Sequence, residues 1–198
     1  MENILIIGAG GSIGNYIYNK FTEKQYNTFG TSSKKTENLI YLDCLKNETL
    51  NNLKSLNNIN VVVWCQGFNI NNNIKNINFQ EHNDIMNCNC NFIILVLNYL
   101  LKNNILENNA KLCIISSIWQ NMVRNNKFSY SVSKSALAGL VKSISIDLSE
   151  NNILINNILP GPIDNEMTRK TLSKEQLQKV FNHTGFNRLT SLEDIFNL

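Results

Sequence analysis

The chain has 198 residues, of which 43% are hydrophobic and 17% are charged, and its formal net charge is +3 at pH 7. This length predicts a single folded domain, 1–198, and the composition excludes a disordered chain. The small, dispersed charge gives no basic stripe for nucleic acid, and no apolar run approaches a membrane span or a signal sequence. The five cysteines lack metal-ligand spacing, so we expect free thiols, no metal site and a cytoplasmic protein.

A glycine-rich turn follows the first predicted strand. Residues 3–7 are apolar, residues 8–14 form the turn, and an amphipathic stretch covers 15–24. Strand, glycine turn and helix in this order are typical of a dinucleotide-binding unit, in which backbone N–H groups and the helix N-terminus hold a pyrophosphate. The alternative is a tight turn that serves packing alone. The candidate cofactor contacts here are Gly8, Gly11, Ser12, Ile13 and Gly14.

The end of the second predicted strand, 26–31, bears on the choice of cofactor. It runs into Ser32, Ser33 and Lys34. An acidic residue here would bind the ribose 2′-hydroxyl of NAD, whereas hydroxyl and ammonium groups suit the 2′-phosphate of NADP. The sequence therefore favours NADP(H), with NAD(H) possible; the alternative is a solvated loop with incidental lysines.

Strands and helices alternate along the rest of the chain. We predict further strands at 38–42, 61–65, 111–116 and 153–159, and helices at 45–56, 79–102 and 130–150. The remainder, from 164 onwards, is polar and helical in pattern. This alternation predicts an α/β fold, a Rossmann-like, doubly wound parallel β-sheet with helices on both faces.

The most informative residues are Tyr130 and Lys134, with Ser117 thirteen residues before Tyr130. Residues four apart on a helix share a face, so the two side chains lie together. An ammonium group favours the phenolate, so we expect the pKa of Tyr130 to fall and the pair to serve as a general acid or base. Ser117 directly follows the predicted strand 111–116, where its hydroxyl can hold a carbonyl oxygen together with Tyr130. A chance Tyr-xxx-Lys pair is the alternative.

This set resembles the short-chain dehydrogenase/reductase family, over nearly the whole chain. Ser117, then Tyr130-xxx-Lys134, then Pro160-Gly161 is a specific combination in that order. The resemblance implies an NAD(P)(H)-dependent oxidoreductase that reduces a carbonyl or oxidises an alcohol.

The resemblance also assigns roles. Tyr130 would exchange the proton with the substrate, Lys134 would lower the pKa of Tyr130 and hold the nicotinamide ribose, and Ser117 would orient the carbonyl. Asn89, preferred to Asn91 by the register of the motif, matches the family's active-site asparagine, which would hold a water for proton relay. The further cofactor contacts implied are Asp43 and Cys44 beside the adenine, Gly67, Pro160, Gly161 and Ile163. The loop from 163 to about 186 would close over the substrate.

Several positions depart from the family pattern. Ile7 replaces a threonine before the glycine turn, Ser12 replaces its middle glycine, and Asn165 replaces a hydroxyl after Pro-Gly. Family members also continue beyond the equivalent of Leu198 with a last strand, so we expect the chain to be truncated or to lack that strand. The helices at 79–102 and 129–150 match the family's dimer-forming pair, which implies a homodimer or homotetramer.

Three functional hypotheses stay open. The first is an active reductase of a small carbonyl compound, either a 3-oxoacyl thioester or an intermediate of a sugar or polysaccharide pathway. The second is a nucleotide-sugar epimerase or dehydratase of the extended branch, whose larger C-terminal domain is absent here. The third is a dinucleotide-binding protein without turnover.

Overall fold

A computed structural model describes residues 1–165, 168–169 and 173–198. Its centre is a six-stranded sheet with the strand order β3-β2-β1-β4-β5-β6. The strands are β1 (Asn3–Ile7), β2 (Asn27–Ser32), β3 (Ile40–Tyr41), β4 (Ile59–Trp64), β5 (Leu106–Ile115) and β6 (Leu154–Ile158). All neighbouring strands pair in parallel. The predicted doubly wound α/β fold is therefore confirmed.

Helices connect the strands. The α-helices are α1 (Ser12–Glu23), α2 (Phe79–Met86), α3 (Phe92–Lys102), α4 (Phe128–Asp147), α5 (Lys174–Asn182) and α6 (Leu192–Phe196). Short 3-10 helices lie at Asn47–Leu53, Ile74–Asn76, Ile118–Gln120 and Ser149–Asn151. The helix predicted at 45–56 is thus a shorter 3-10 segment, and the helix predicted at 79–102 is interrupted by a π turn, Asn87–Asn91.

Two hydrophobic clusters cover the two faces of the sheet. Leu5 and Ile7 of β1 belong to the larger cluster, while Ile4 and Ile6 belong to the smaller one. Successive side chains of a strand point to opposite faces, so an apolar run such as 3–7 has to be covered on both sides. The larger cluster contains residues of α3 and α4, and the smaller one contains residues of α1 and α6.

A disulfide joins Cys44, which follows β3, to Cys88 in the π turn. The expectation of five free thiols is therefore wrong for these two residues, and Cys65, Cys90 and Cys113 are the free ones. The two bonded cysteines are 44 residues apart in sequence, yet their Cα atoms are 5.1 Å apart. Such proximity is created by packing of the loop after β3 against the π turn, which no cysteine spacing reveals.

The helical stretch Phe79–Lys102 is apolar and long enough to cross a membrane by length and composition, contrary to the sequence-based exclusion. Half of its most apolar 18-residue window is buried inside the fold. Core helices that pack on a sheet have the same character, because they too are apolar over most of their surface.

Candidate active site

The candidate site residues gather at one edge of the sheet. Gly8 follows β1, Ser32 ends β2, Asp43 follows β3, and Gly67, Ser117 and Pro160 follow the ends of β4, β5 and β6. Because all six strands are parallel, these positions share the carboxyl edge, where open α/β sheets bind their ligands. The fold thus brings together residues that are more than 150 positions apart in sequence.

Tyr130, Ser117 and Lys134 form the centre of this edge. The Ser117 side chain lies near enough to the Tyr130 hydroxyl to lower the pKa of that hydroxyl. The amine of Lys134 lies 5.8 Å from the centre of the Tyr130 ring and donates a 3.0 Å hydrogen bond to the backbone oxygen of Ile115. The hydroxyl of Ser117, after β5, and the hydroxyl of Tyr130, on α4, are thus near enough to donate to one carbonyl oxygen.

The protonation of this group differs from the sequence prediction. Burial raises the pKa of Tyr130, and the nearby Ser117 side chain acts in the opposite direction. Burial lowers the pKa of Lys134 to about 8, since only 3% of the residue is exposed. In the chain by itself, Tyr130 therefore keeps its proton at neutral pH, which suits a proton donor better than a base.

Asn89 is buried in the π turn, and its side chain is fully engaged. Its Oδ1 accepts a 2.7 Å hydrogen bond from the backbone N–H of Phe68, and its Nδ2 donates to the backbone oxygen of Phe68 and to Ser133 Oγ, both at 2.9 Å. Ser133 Oγ in turn donates to the backbone oxygen of Tyr130 at 2.8 Å. Asn89 thus ties the turn after β4 to the helix that carries Tyr130, while Asn91 is exposed on the same π turn.

The glycines of the turn after β1 differ in what surrounds them. Gly8 has a φ of +85°, and a Cβ at Gly14 would lie 2.3 Å from the backbone oxygen of Gly8, so both are needed for the turn to close on α1. A Cβ at Gly11, by contrast, would meet only that oxygen, at 3.5 Å. Gly11 therefore borders open space at the N-terminus of α1.

That space has the chemistry of a pyrophosphate site. Among the described residues, no side chain caps α1, and its first turn carries no acidic residue. The N–H groups of Ser12, Ile13 and Gly14 have no acceptor within the helix, because the first intrahelical bond runs from Asn15 to Gly11. Free N–H groups at a helix N-terminus fit the phosphates of a dinucleotide.

The ends of β2 and β3 lie beside this turn. A Cβ at Gly10 would lie 2.7 Å from Ser32 Oγ, so the Ser32 side chain faces the turn, and its oxygen accepts a 3.1 Å hydrogen bond from the N–H of Lys34. Ser33 and Lys34 are exposed. Asp43 Oδ1 accepts from the N–H of Leu45 at 3.0 Å, which shapes the loop after β3. The Cys44 sulfur is bonded to Cys88, so Cys44 has only its backbone to offer a cofactor.

The remaining candidates follow the ends of β4 and β6 at the same edge of the sheet. A Cβ at Gly67 would meet only Asn89 Oδ1, at 3.9 Å. The backbone oxygen of Pro160 accepts a 3.0 Å hydrogen bond from the N–H of Ile118, which fixes the end of β6 against the loop that begins at Ser117. Gly161 and Ile163 lie beside Thr190, with which Ile163 forms a parallel bridge. The predicted lid, 163–186, contains α5, but residues 166, 167 and 170–172 lie outside the described residues.

Comparison with known proteins identifies the family. A family model described as enoyl-(acyl carrier protein) reductase matches residues 20–198, which is most of the chain. The chain belongs to the short-chain dehydrogenase/reductase family. The family resemblance seen in the sequence is confirmed, and the family is one of NAD(P)-dependent oxidoreductases that act on CH–OH groups.

Individual relatives agree with this membership. The chain is 30% identical over 120 residues to 3-oxoacyl-[acyl-carrier-protein] reductase of Buchnera aphidicola subsp. Baizongia pistaciae, a match that covers 61% of this chain and 49% of the relative. A second reductase of the same name, from Buchnera aphidicola subsp. Acyrthosiphon pisum, is 22% identical over 98% of this chain and 86% of its own length. The chain thus spans about half of the first relative and most of the second.

Solved structures show the same fold. A short chain dehydrogenase family protein from Francisella tularensis superposes with a TM-score of 0.86 at 22% identity, covering 100% of this chain and 88% of its own. BdcA, solved in complex with NADPH, superposes with a TM-score of 0.86 at 18% identity, covering 99% of this chain and 84% of its own.

Residues that the sequence did not single out support this short-chain dehydrogenase/reductase site. Ser129, next to Tyr130, is fully buried, and its Oγ contacts Asn72 Nδ2 at 2.7 Å and His82 Nδ1 at 2.9 Å. Asn72 Oδ1 also accepts from the N–H of Ser129 at 3.0 Å and so caps the start of α4. Asn72 and His82 precede Ser129 by 57 and 47 positions in the sequence, so no local pattern predicts these contacts.

Proposed function

We propose that this chain is an NADP(H)-dependent oxidoreductase that reduces a small carbonyl compound to an alcohol, with 3-oxoacyl thioesters as the substrate class to test first. The observation that carries the proposal is the proximity of Ser117 to the Tyr130 hydroxyl, with Lys134 beside the Tyr130 ring. This pair lies on the same sheet edge as the open glycine turn at the N-terminus of α1.

The residues would act as follows. A carbonyl oxygen that enters between Ser117 and Tyr130 accepts a hydrogen bond from each hydroxyl, which stabilises the negative charge that develops on it. Tyr130, whose pKa is raised by burial, then donates its proton to this oxygen. Lys134 holds the ribose beside the tyrosine, and Asn89 keeps the turn after β4 in place through Phe68. When bound, the nicotinamide cofactor supplies the hydride.

Two observations favour NADP(H). Ser32 faces the glycine turn, and the exposed Lys34 follows it, so this end of β2 offers a hydroxyl and a cation to a phosphate. One structural relative was solved in complex with NADPH. The choice of 3-oxoacyl thioesters is supported by the two Buchnera relatives, both of which are 3-oxoacyl-[acyl-carrier-protein] reductases.

Turnover of NADPH with a 3-oxobutanoyl thioester tests the proposal. Replacement of Tyr130 by Phe removes the donated proton and keeps the ring, so we expect the rate to fall about a hundredfold to ten-thousandfold while NADPH still binds. Tyr99→Phe on α3 is the matched control and should keep its rate. An active Tyr130→Phe enzyme would refute the assigned role, and cofactor binding without turnover of any carbonyl compound would support the non-catalytic alternative.

We further propose a homo-oligomer in which α3 and α4 pair with a second copy, supported by the exposed apolar side chains of Ile94, Leu95, Val132 and Ile146. Light scattering of the purified chain measures this oligomeric state directly.

A cytoplasmic location agrees with the three free cysteines. The disulfide Cys44–Cys88 argues against it, because a reducing compartment does not favour disulfides.

A further inference from the structure

A buried cation lies next to the candidate proton donor and is not used by the chemistry above. Lys127 immediately precedes α4, and only 8% of it is exposed. Its amine lies 5.8 Å from the centre of the Tyr130 ring, as close as the amine of Lys134, which follows Tyr130 in the sequence. Lys127 is therefore part of the surroundings of the reacting group.

The partners of this amine leave its charge uncompensated. It donates a 2.8 Å hydrogen bond to Asn69 Oδ1, a neutral acceptor on the loop after β4. In the described part of the chain, the ion pairs involve other cations, and none includes Lys127. An ammonium group has three donors and is costly to bury without an anion. Burial and the nearby Arg124 both lower the pKa of Lys127, as expected for a cation without a counter-charge.

The neighbourhood of Lys127 is also cationic. Lys127 lines a cavity of about 760 Å³ together with Arg124 and Lys75, and no acidic residue is among the described residues that line it. Arg124 packs over the ring of Trp119 at 5.3 Å. Tyr130 is not among the described residues that line this cavity. Lys127 connects the two, because it lines the cavity and its amine also lies 5.8 Å from the centre of the Tyr130 ring.

We propose that the site takes carbonyl substrates that carry an anionic group, a carboxylate or a phosphate, and that Lys127 is the residue that binds this group. The proposal rests on the proposed reductase function and narrows its substrate class. An anion beside Lys127 would supply the missing counter-charge, and the fixed position of Lys127 relative to Tyr130 would place the carbonyl at a set distance from the anion. Lys127 would thus determine specificity, and Lys134 would keep its role with the cofactor.

A pair of compounds that differ only in charge tests this assignment. NADPH-dependent reduction is measured with 3-oxobutanoate and with its methyl ester, for the wild type, Lys127→Gln, Lys127→Arg and Lys142→Gln. Lys142 is an exposed lysine on α4, about 22 Å further along the helix, so Lys142→Gln removes the same charge away from the site. We expect the wild type and Lys142→Gln to prefer the acid over the ester in kcat/KM. In Lys127→Gln this preference should fall about tenfold to a hundredfold, as for loss of a charge-assisted hydrogen bond, and Lys127→Arg should keep most of it.

A binding experiment separates this proposal from the reductase function itself. Calorimetric titration with 3-hydroxybutanoate and its methyl ester requires no turnover and uses the same four proteins. If NADPH is not oxidised with any substrate, the reductase function fails, while tighter binding of the acid that depends on Lys127 still supports the anion site. Equal acid-to-ester ratios in the wild type and Lys127→Gln would overturn the anion site. An equal loss for both compounds with a shifted pH profile would also overturn it, because Lys127 would then act through Tyr130.

Discussion

Replacing Asn89 by Ala tests how the turn after β4 is held against α4. Asn89 is 1% exposed, and its amide makes three hydrogen bonds, two with the backbone of Phe68 and one with Ser133. The substitution leaves the N–H and C=O of Phe68 without these partners. Phe68 is exposed, so water can take the place of the lost amide there. Each hydrogen bond contributes about 0.5–1.5 kcal/mol net, so we expect loss of the three to lower the free energy of unfolding by about 2–4 kcal/mol.

Asn91→Ala is the matched control in the same π turn. Asn91 is exposed, and its Nδ2 donates only to Asn87 Oδ1, at 2.9 Å. Both substitutions change helix propensity equally, so the difference between them isolates the buried hydrogen bonds. Urea denaturation of the two variants and the wild type gives this difference. A change within about 0.5 kcal/mol is expected for Asn91→Ala.

A loss below about 1 kcal/mol in Asn89→Ala would refute the reasoning, because the groups of Phe68 would then have found other partners. A loss of the expected size should come with weaker NADPH binding, since Gly67, a predicted cofactor contact, directly precedes Phe68 in this turn. Stability lost without any change in NADPH affinity would restrict Asn89 to a structural role.

Three further predictions follow from burial and covalent linkage. Burial lowers the pKa of Lys134 to about 8, from an ordinary 10.5. Between these pH values the unfolded chain binds more protons than the folded chain, so the wild type should gain about 2 kcal/mol of stability relative to Lys134→Met as the pH rises from 8 to 10. Parallel pH–denaturation series measure this, and a constant difference would contradict it. The denatured chain should show three reactive thiols without a reductant and five with one, and five thiols without a reductant would exclude the disulfide. The double substitution Cys44→Ser/Cys88→Ser should lower the free energy of unfolding by about 4 kcal/mol, because the disulfide closes a loop of 44 residues. Gly14→Ala should unfold at a lower denaturant concentration, because its Cβ would meet the backbone of Gly8. Gly11→Ala should stay folded but bind NADPH at least about tenfold more weakly, because its methyl group enters the open space at the N-terminus of α1. Equal NADPH affinity in Gly11→Ala and the wild type would place the pyrophosphate elsewhere.

Much of the fold was predictable because its signals are local. The apolar run 3–7, the glycine turn and the amphipathic stretch after it form β1, a tight turn and α1, as predicted. Alternating strands and helices leave few topologies open, and a parallel sheet is the simplest of them. The least accurate predictions concern segments whose form depends on neighbours: the 3-10 helix Asn47–Leu53 and the π turn Asn87–Asn91.

The candidate site was predictable only in part, for a similar reason. The spacing of Tyr130 and Lys134 places both on one helix face, and the pair indeed lies together with Ser117. The direction of the pKa shift of Tyr130 was not predictable, because burial outweighs any effect of Lys134, and burial is a property of the packed chain. Lys127 was not predicted as a site residue, because an isolated lysine in a polar loop is ordinarily exposed.

The sequence by itself determined the parallel α/β fold, the glycine turn and the order of Ser117, Tyr130 and Lys134, because these depend on hydrophobic periodicity, on glycine and on helix geometry over short distances. The tertiary structure alone decided which side chains meet across long distances. It joined Cys44 to Cys88, used Asn89 to hold Phe68 and Ser133, and buried Lys127 beside Tyr130 without a counter-charge. Hydrogen bonding, burial and charge compensation all depend on the surroundings of a group, and those surroundings exist only once distant segments have packed together.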